Sequence, residues 1–185
     1  MNATAPAMLF SRTWAMPHRD TFSVPPIGEF VWKYMVAAPV SADPFARNGS
    51  RATFTNDLDP ATDAALHMDA EQACKLWTAQ GVRADLAIFD PPYSPRQISE
   101  CYKSIGLKVG MEETQNARLY KRVRDALDPL VKPGGIVLSF GWQSAGMGEK
   151  RGYDPIEILL VTHGGAHNDT ICIAERKRVK MDFFS

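Results

Sequence analysis

The sequence contains no run of about 18 apolar residues, so no membrane-spanning helix is expected. The opening stretch, MNATAPAMLFSRTWAMPHRD, lacks a basic segment leading into an apolar block, and it does not read as a signal peptide. Cysteine is scarce. Cys74, Cys101 and Cys172 are far apart and odd in number, which argues against a disulfide framework or a cysteine zinc site and fits reduced thiols in a cytosolic protein. Internal repeats and low-complexity linkers are absent as well. So is a surplus of either charge, because 21 Lys plus Arg balance 21 Asp plus Glu. Nucleic-acid-binding chains usually carry a basic surplus, so this balance weighs mildly against that class. Local patches count for more than the sum. Arg118, Lys121, Arg122 and Arg124 form one basic group, Lys150 and Arg151 a second, and Arg176, Lys177, Arg178 and Lys180 a third. Each reads either as a solvated face or as a phosphate-contacting patch. The remaining composition, 45% hydrophobic and 23% charged over 185 residues, suits one globular domain with a sizeable core.

Hydrophobic spacing places the elements. Residues 1–20 have mixed composition and read as a segment that wraps the core or is partly disordered. After Pro25-Pro26, the residues Ile27, Phe30, Val31 and Tyr34 share one helical face. A short apolar run over 36–42 ends at Asp43, and a β-rich run over 52–55 ends at Asn56-Asp57. Pro60 suits a first helical turn, so a helix is expected after it. Helices are also predicted over 71–80, 94–104 and 116–131. Buried strands are expected over 85–89, 136–140, 156–162 and 170–174. The turn between the last two is short enough for an antiparallel hairpin. Strands alternating with helices, then a terminal hairpin, predict a largely parallel α/β sheet with one reversed strand. Ligands of such sheets sit beyond the carboxyl ends of the strands. Asp43, Asp57 and Asp90 each end a strand candidate, and Asp69 follows the next helix. Any one of them reads best as a helix cap; together they would ring one crevice.

In this order, the segments resemble class I methyltransferases that methylate DNA amino groups. Asp43-Pro44-Phe45-Ala46 resembles their cofactor loop, although Arg47 and Asn48 stand before the one glycine, Gly49. Asn56-Asp57-Leu58 resembles the motif whose acid holds the cofactor ribose, and Met68-Asp69-Ala70 the one whose acid reaches the cofactor adenine. The segment 22–27 resembles the motif beside the methionine part of the cofactor. Asp90-Pro91-Pro92-Tyr93 resembles the catalytic motif, whose Asp form is typical of adenine-N6 enzymes. More closely, residues 12–178 are similar to small phage and prophage methyltransferases. The shared segments are Trp14-Ala15-Met16-Pro17, Thr55-Asn56-Asp57-Leu58, His67-Met68-Asp69-Ala70, Arg96 with Ser99-Glu100-Cys101-Tyr102, Ser139-Phe140-Gly141-Trp142, and the hairpin with His163-Gly164-Gly165 and His167-Asn168-Asp169.

The resemblance implies one domain over 1–185 with a Rossmann-like, mostly parallel seven-stranded sheet, a C-terminal antiparallel hairpin, and a reduced helix between the first two strands. It implies S-adenosyl-L-methionine as cofactor, held by Phe22, Asp43, Pro44, Phe45, Ala46, Asn48, Asp57, Leu58, Asp69 and Ala70. It implies adenine-N6 methylation of DNA by direct transfer to a flipped base, with Asp90, Pro91, Pro92 and Tyr93 as the catalytic loop. The expected DNA contacts are Arg96, Arg118, Lys121, Arg122, Trp142, Lys150, Arg151, His163, His167 and Asn168, with 94–133 and 141–153 as DNA-contacting inserts. Trp142 either stacks on a base or fills the core. A metal at His163, His167 and Asp169 is disfavoured, since no Cys joins them and the chemistry asks for none. Such short inserts imply relaxed sequence specificity, and no endonuclease segment is read, so a stand-alone modifier in the cytoplasm of a bacterial host is expected. A cut-down first crossover would bare a sheet face that a second subunit could cover, so a homodimer is allowed. Two other readings compete. One is an RNA methyltransferase of the ribosomal guanine-N2 type, and the other is a catalytically inactive protein that binds cofactor or nucleic acid.

Overall fold

A computed structural model describes residues 7–93, 116–165 and 167–179. In chain order the elements are β1 (Leu9–Trp14), α1 (Pro25–Met35), β2 (Ser41–Asp43), β3 (Phe54–Thr55), α2 (Ala70–Ala79), β4 (Ala84–Phe89), α3 (Asn116–Leu127), β5 (Val131–Gly141), β6 (Tyr153–Thr162) and β7 (Thr170–Lys177). The strands form one sheet in the order β1-β6-β7-β5-β4-β2-β3. Only β7 runs antiparallel to its neighbours, β5 and β6. The expected mostly parallel seven-stranded sheet with a terminal hairpin is therefore present. The predicted helix over 94–104 lies outside the described residues. No described helix is long and apolar enough to cross a membrane.

The central strand shows why the apolar runs are continuous here. On β4, Ala87 and Phe89 enter the core under α2 and α3, while Leu86 and Ile88 enter the core under α1. A strand covered on both faces must be apolar at both parities. Helix α1 starts on Pro25 and Pro26, where the missing N–H groups cost nothing. Its buried residues are Ile27, Phe30 and Val31, one stripe at helical spacing. Helix α2 begins at Asp69, whose side chain accepts from the Glu71 N–H at 2.9 Å, and it buries Ala73, Cys74 and Trp77. Helix α3 buries Leu119, Tyr120, Val123, Ala126 and Leu127. It is shorter than the predicted span because Asp128–Leu130 tightens into a 3-10 turn around Pro129.

Three expectations are corrected. The N-terminal segment is neither a wrap nor disordered over 9–14; it pairs in parallel with β6 from Leu9 to Trp14 and supplies the seventh strand. The run over 36–42 yields only the three-residue β2, since α1 continues to Met35 and a turn follows. The helix expected after Pro60 does not form. Asp59 instead accepts from the Ala61 N–H at 2.9 Å and, through its carbonyl, from the Thr62 hydroxyl at 2.8 Å. Such local side-chain bonds compete with helix. The segment then makes a single parallel bridge, Asn56 to Leu66.

Candidate functional site

In the sheet order, β4 and β2 are neighbours from which the chain departs in opposite directions, towards β5 on one side and β3 on the other. This is the switch point where open α/β sheets form a ligand crevice. A cavity of about 420 Å³ lies there, its walls including Phe22, Trp32, Phe45, Arg47, Ser50 and Asp90. Its volume is in the range of small-molecule and cofactor sites.

The loop joining β2 to β3 closes one side. No helix forms in 44–53, so the expected reduction of the first crossover holds. Side chains hold the loop in place of helical hydrogen bonds. Asp57 accepts from the Arg47 N–H at 3.0 Å and from the Asp59 N–H at 2.9 Å. Asp63 accepts from the Gly49 N–H at 3.1 Å, while Asn48 accepts from the Asp63 N–H at 3.0 Å. The turn needs left-handed backbone at two places, Gly49 (φ 75°) and Arg47 (φ 47°). Glycine takes that conformation freely, whereas a branched side chain on an L-residue is strained in it. Arg47 thus adopts glycine-like backbone without being glycine, and its guanidinium meets Asp20 at 3.3 Å.

Of the residues expected to hold the cofactor, Phe22, Phe45, Ala46 and Asn48 line the crevice. Asp43 is wholly buried behind the loop, accepting from the Phe45 N–H at 3.1 Å and the Ser50 hydroxyl at 2.8 Å. Burial pushes its carboxyl up to about 7, against the pull of those two hydrogen bonds. The Pro44 carbonyl accepts from Asn56 Nδ2 at 3.1 Å. Asp57 secures the loop, Leu58 is partly buried beside it, and Asp69 and Ala70 begin α2, with Asp69 also 3.6 Å from Arg122. Pro44, Asp57, Leu58, Asp69 and Ala70 are outside the crevice wall.

The Asp90–Tyr93 loop leaves the carboxyl end of β4. The Tyr93 hydroxyl donates to Asp90 Oδ1 at 2.5 Å, and Thr21 Oγ1 is 3.5 Å from the same hydroxyl. Burial raises the Asp90 carboxyl to about 6, while the bonds to Tyr93 and Thr21 pull it down. Burial and the adjacent carboxylate hold the Tyr93 phenol well above its ordinary range. Pro91 is buried, and the Pro92 carbonyl accepts from the Tyr120 hydroxyl at 2.8 Å. The Tyr93 ring meets Trp142 edge-on, with centroids 5.8 Å apart. Trp142 is 44% exposed, so it does not fill the core.

The expected DNA contacts fall into different settings. Lys121 and Arg151 both pair with Asp125, at 2.7 and 2.6 Å, and Arg122 pairs with Glu71 at 3.1 Å. Arg118, Lys150, His167 and Asn168 are exposed. Arg96 lies outside the described residues. His163 is buried: Nδ1 is 2.8 Å from the Ala15 carbonyl and Nε2 2.9 Å from the Thr170 hydroxyl. A carbonyl can only accept, so Nδ1 carries a proton and donates to Ala15, and Nε2 shares a hydrogen bond with the Thr170 hydroxyl. Both ring nitrogens are thus used inside the protein, tying the segment after β1 to the hairpin. Neither is turned outward to a metal or a base. Sequence reasoning missed Thr21, Tyr120 and Arg47. Tyr120 lies in the helix predicted over 116–131, and nothing local marks its reach to Pro92.

Solved structures with a similar fold include methyltransferases. The N-methyltransferase NodS from Bradyrhizobium japonicum is 9% identical, with 82% of this chain and 94% of that one covered and a TM-score of 0.46. TrmN from Thermus thermophilus is 12% identical, with 83% and 49% covered and a TM-score of 0.47. NSun6 from Pyrococcus horikoshii, solved with SFG, is 11% identical, with 94% and 48% covered and a TM-score of 0.47. The chain thus spans about half the length of the last two. No protein-family model matches the chain, and no curated protein does. Likenesses this distant say nothing about substrate, so the functional reading rests on the site itself.

Proposed function

We propose that this chain is an S-adenosylmethionine-dependent methyltransferase acting on the exocyclic N6 of adenine in DNA. The observation that carries this reading is the Asp90-Pro91-Pro92-Tyr93 loop at the carboxyl end of β4, beside a cavity of about 420 Å³ at the switch point between β4 and β2. The loop resembles the catalytic motif of DNA amino-methyltransferases in both residue order and place in the chain.

The residues present fit the cofactor in part. Phe22, Phe45 and Trp32 offer apolar surface, and Arg47, Asn48 and Ser50 offer polar groups in the same crevice. The fit is weaker at the loop amides, because Asp57 and Asp63 already accept from the Arg47 and Gly49 N–H groups. Each carboxylate oxygen keeps a second lone pair, so Asp57 can still accept from a hydroxyl. When bound, the cofactor supplies a methyl group already activated by its positive sulfur.

The protein then has to position and polarise the amine. An adenine amino nitrogen shares its lone pair with the ring and is a poor nucleophile. Asp90 would accept one amino hydrogen, and the Pro91 carbonyl is the second acceptor implied by the motif. Together they draw the nitrogen towards tetrahedral geometry and free its lone pair. Two consecutive prolines fix φ and hold that carbonyl in place. The Tyr93 hydroxyl donates to Asp90 Oδ1, and the remaining lone pairs of the carboxylate would accept the target amine. Tyr93 and Trp142 offer aromatic faces or edges to an unstacked base, which has to leave a duplex to reach them.

On the same reading the protein is a stand-alone phage-type modifier of relaxed specificity, working in the cytoplasm of a bacterial host. Tritiated methyl incorporation into DNA and into ribosomal RNA tests the reading. Label in DNA, mapped to N6-methyladenine in many contexts by single-molecule sequencing, is expected. Label confined to RNA would move the assignment to an RNA enzyme. Failure to bind S-adenosylmethionine in calorimetry would remove the cofactor and the reaction together.

A further inference from the structure

A second cavity, of about 170 Å³, is lined on one side by Tyr93. At about 30 Å³ per water it has room for roughly six waters, the scale of one heterocyclic base. Its walls are mainly aromatic: Phe89, Tyr93, Tyr120, Phe140 and Trp142. Three polar side chains, Arg124, Ser139 and the exposed Gln143, interrupt them, and two of these carry buried polar atoms. Ser139 is only 5% exposed and its hydroxyl has no hydrogen-bond partner, and the buried Nε of Arg124 has none either. No other buried side-chain nitrogen or oxygen among the described residues is left so, and both of these residues line this one cavity. A buried donor without a partner is costly, and proteins rarely keep one without a use.

The cavity is held rigidly. The Arg124 guanidinium lies over the rings of Phe89 and Tyr120, 5.1 and 5.6 Å from their centroids. Glu175 braces the loop on the far side, accepting from the Met147 N–H at 2.5 Å and the Gly148 N–H at 2.9 Å. That loop passes the carboxylate at Gly146, in left-handed conformation, where any Cβ would collide with Glu175.

Resting on the reading above, we propose that this cavity receives the target base and that Arg124 and Ser139 are specificity-determining residues donating hydrogen bonds to its ring acceptors. The donor pattern matches the chemistry. The amino group is the only hydrogen-bond donor on an adenine linked to its sugar, and on this proposal it goes to the acceptors of the Asp90–Tyr93 loop. The other exposed edges of the ring carry only acceptor nitrogens. They require donors, and Arg can only donate while Ser can donate. The aromatic walls then stack on a base of any identity, so discrimination falls to the polar side chains, of which Arg124 and Ser139 hold the buried partnerless atoms.

The test uses a short thymine-tract oligonucleotide with one adenine, and the same strand with an abasic site at that position. Binding is read by fluorescence anisotropy at one fixed salt concentration, because phosphate contacts are salt-dependent. Wild type should prefer the adenine strand about tenfold. Arg124→Lys keeps the charge but loses the planar donor, and Ser139→Ala loses the hydroxyl. Each should lower the preference several-fold, leaving the part that stacking on the aromatic walls supplies, while binding to the abasic strand is unchanged. Equal binding of both strands by wild type, or an intact preference in both variants, would overturn the proposal. Thermal melting separates a structural role: removing a partnerless buried hydroxyl should leave Ser139→Ala at least as stable as wild type. A less stable variant with intact preference would make Ser139 structural and sink the assignment, and Ser139→Ala decides alone if Arg124→Lys fails to fold. Methyl transfer is measured separately on the adenine strand. Preference lost in the variants with no transfer by wild type keeps the cavity and removes the proposed reaction. Transfer with unaltered preference does the reverse.

Discussion

Replacing Asp43 by Asn should flatten part of the pH dependence of stability. The carboxyl is wholly buried and its proton is held up to about pH 7 in the folded protein. In the unfolded chain the same group titrates near 3.9. Between those values the folded state binds a proton that the unfolded state does not. Stability contributed by Asp43 is therefore full below about pH 4 and is lost as pH rises through about 7. Lowering the pH from roughly 8.5 to roughly 5.5 crosses about 1.5 pH units below the folded value, at about 1.4 kcal/mol per unit, for a gain of about 2 kcal/mol. An Asn side chain forgoes that gain because it is neutral throughout. Its oxygen can still accept from the Phe45 N–H, and the Ser50 hydroxyl can turn to accept from its amide. Asp90 titrates in the same window and its charge helps raise the Asp43 carboxyl, so the difference between the two proteins includes that repulsion. The assay is urea unfolding of both at four pH values across that window. The wild type should gain about 2 kcal/mol on the variant as pH falls. Parallel stability curves would show that burial does not hold the Asp43 proton and would refute the reasoning.

Asp90→Ala and Tyr93→Ala should still bind S-adenosylmethionine in calorimetry but lose transfer by on the order of 100-fold or more; near wild-type transfer by both would remove the catalytic loop. In Tyr93→Phe the bond that pulls the Asp90 proton down is gone, so the acidic limb of the transfer rate should move above about pH 6; an unmoved limb would mean Asp90 is not the group that must be ionised. His163→Ala strands the Ala15 carbonyl and the Thr170 hydroxyl inside the protein, and a stability loss of about 2–4 kcal/mol in urea unfolding is expected, with less than 1 arguing that the ring is dispensable. The homodimer that the cut-down first crossover allows is checked by sedimentation, where monodisperse monomer at working concentration removes it.

How much of this was legible before the fold was known differs by element. The run Asp85-Leu86-Ala87-Ile88-Phe89 reads as a buried strand because both faces of β4 are covered, and the Asp90–Tyr93 loop follows it directly. The stripes of α1, α2 and α3 are readable for the same reason: burial imposes a period. Strand β1 has no such period. It sits at the sheet edge with Leu9, Phe10 and Trp14 all more than half exposed, and it is held by backbone pairing to β6, a partner almost 150 residues away in the chain. The helix expected after Pro60 was misread because capping and turn residues look alike until their partners are known. Asp59 and Asp63 close turns here.

Local sequence is enough to set the class of the sheet, the reduced first crossover and the place of Asp90 to Tyr93, since each depends on residues that are neighbours in the chain. Tertiary packing alone decides the rest. Asp57 becomes a brace for the loop at Arg47, and His163 an internal tie between Ala15 and Thr170. Phe89, Arg124 and Ser139 come together around one cavity only because β4, α3 and β5 pack side by side. Hydrogen-bond partners and cavities are properties of three-dimensional proximity, and no spacing along the chain encodes them.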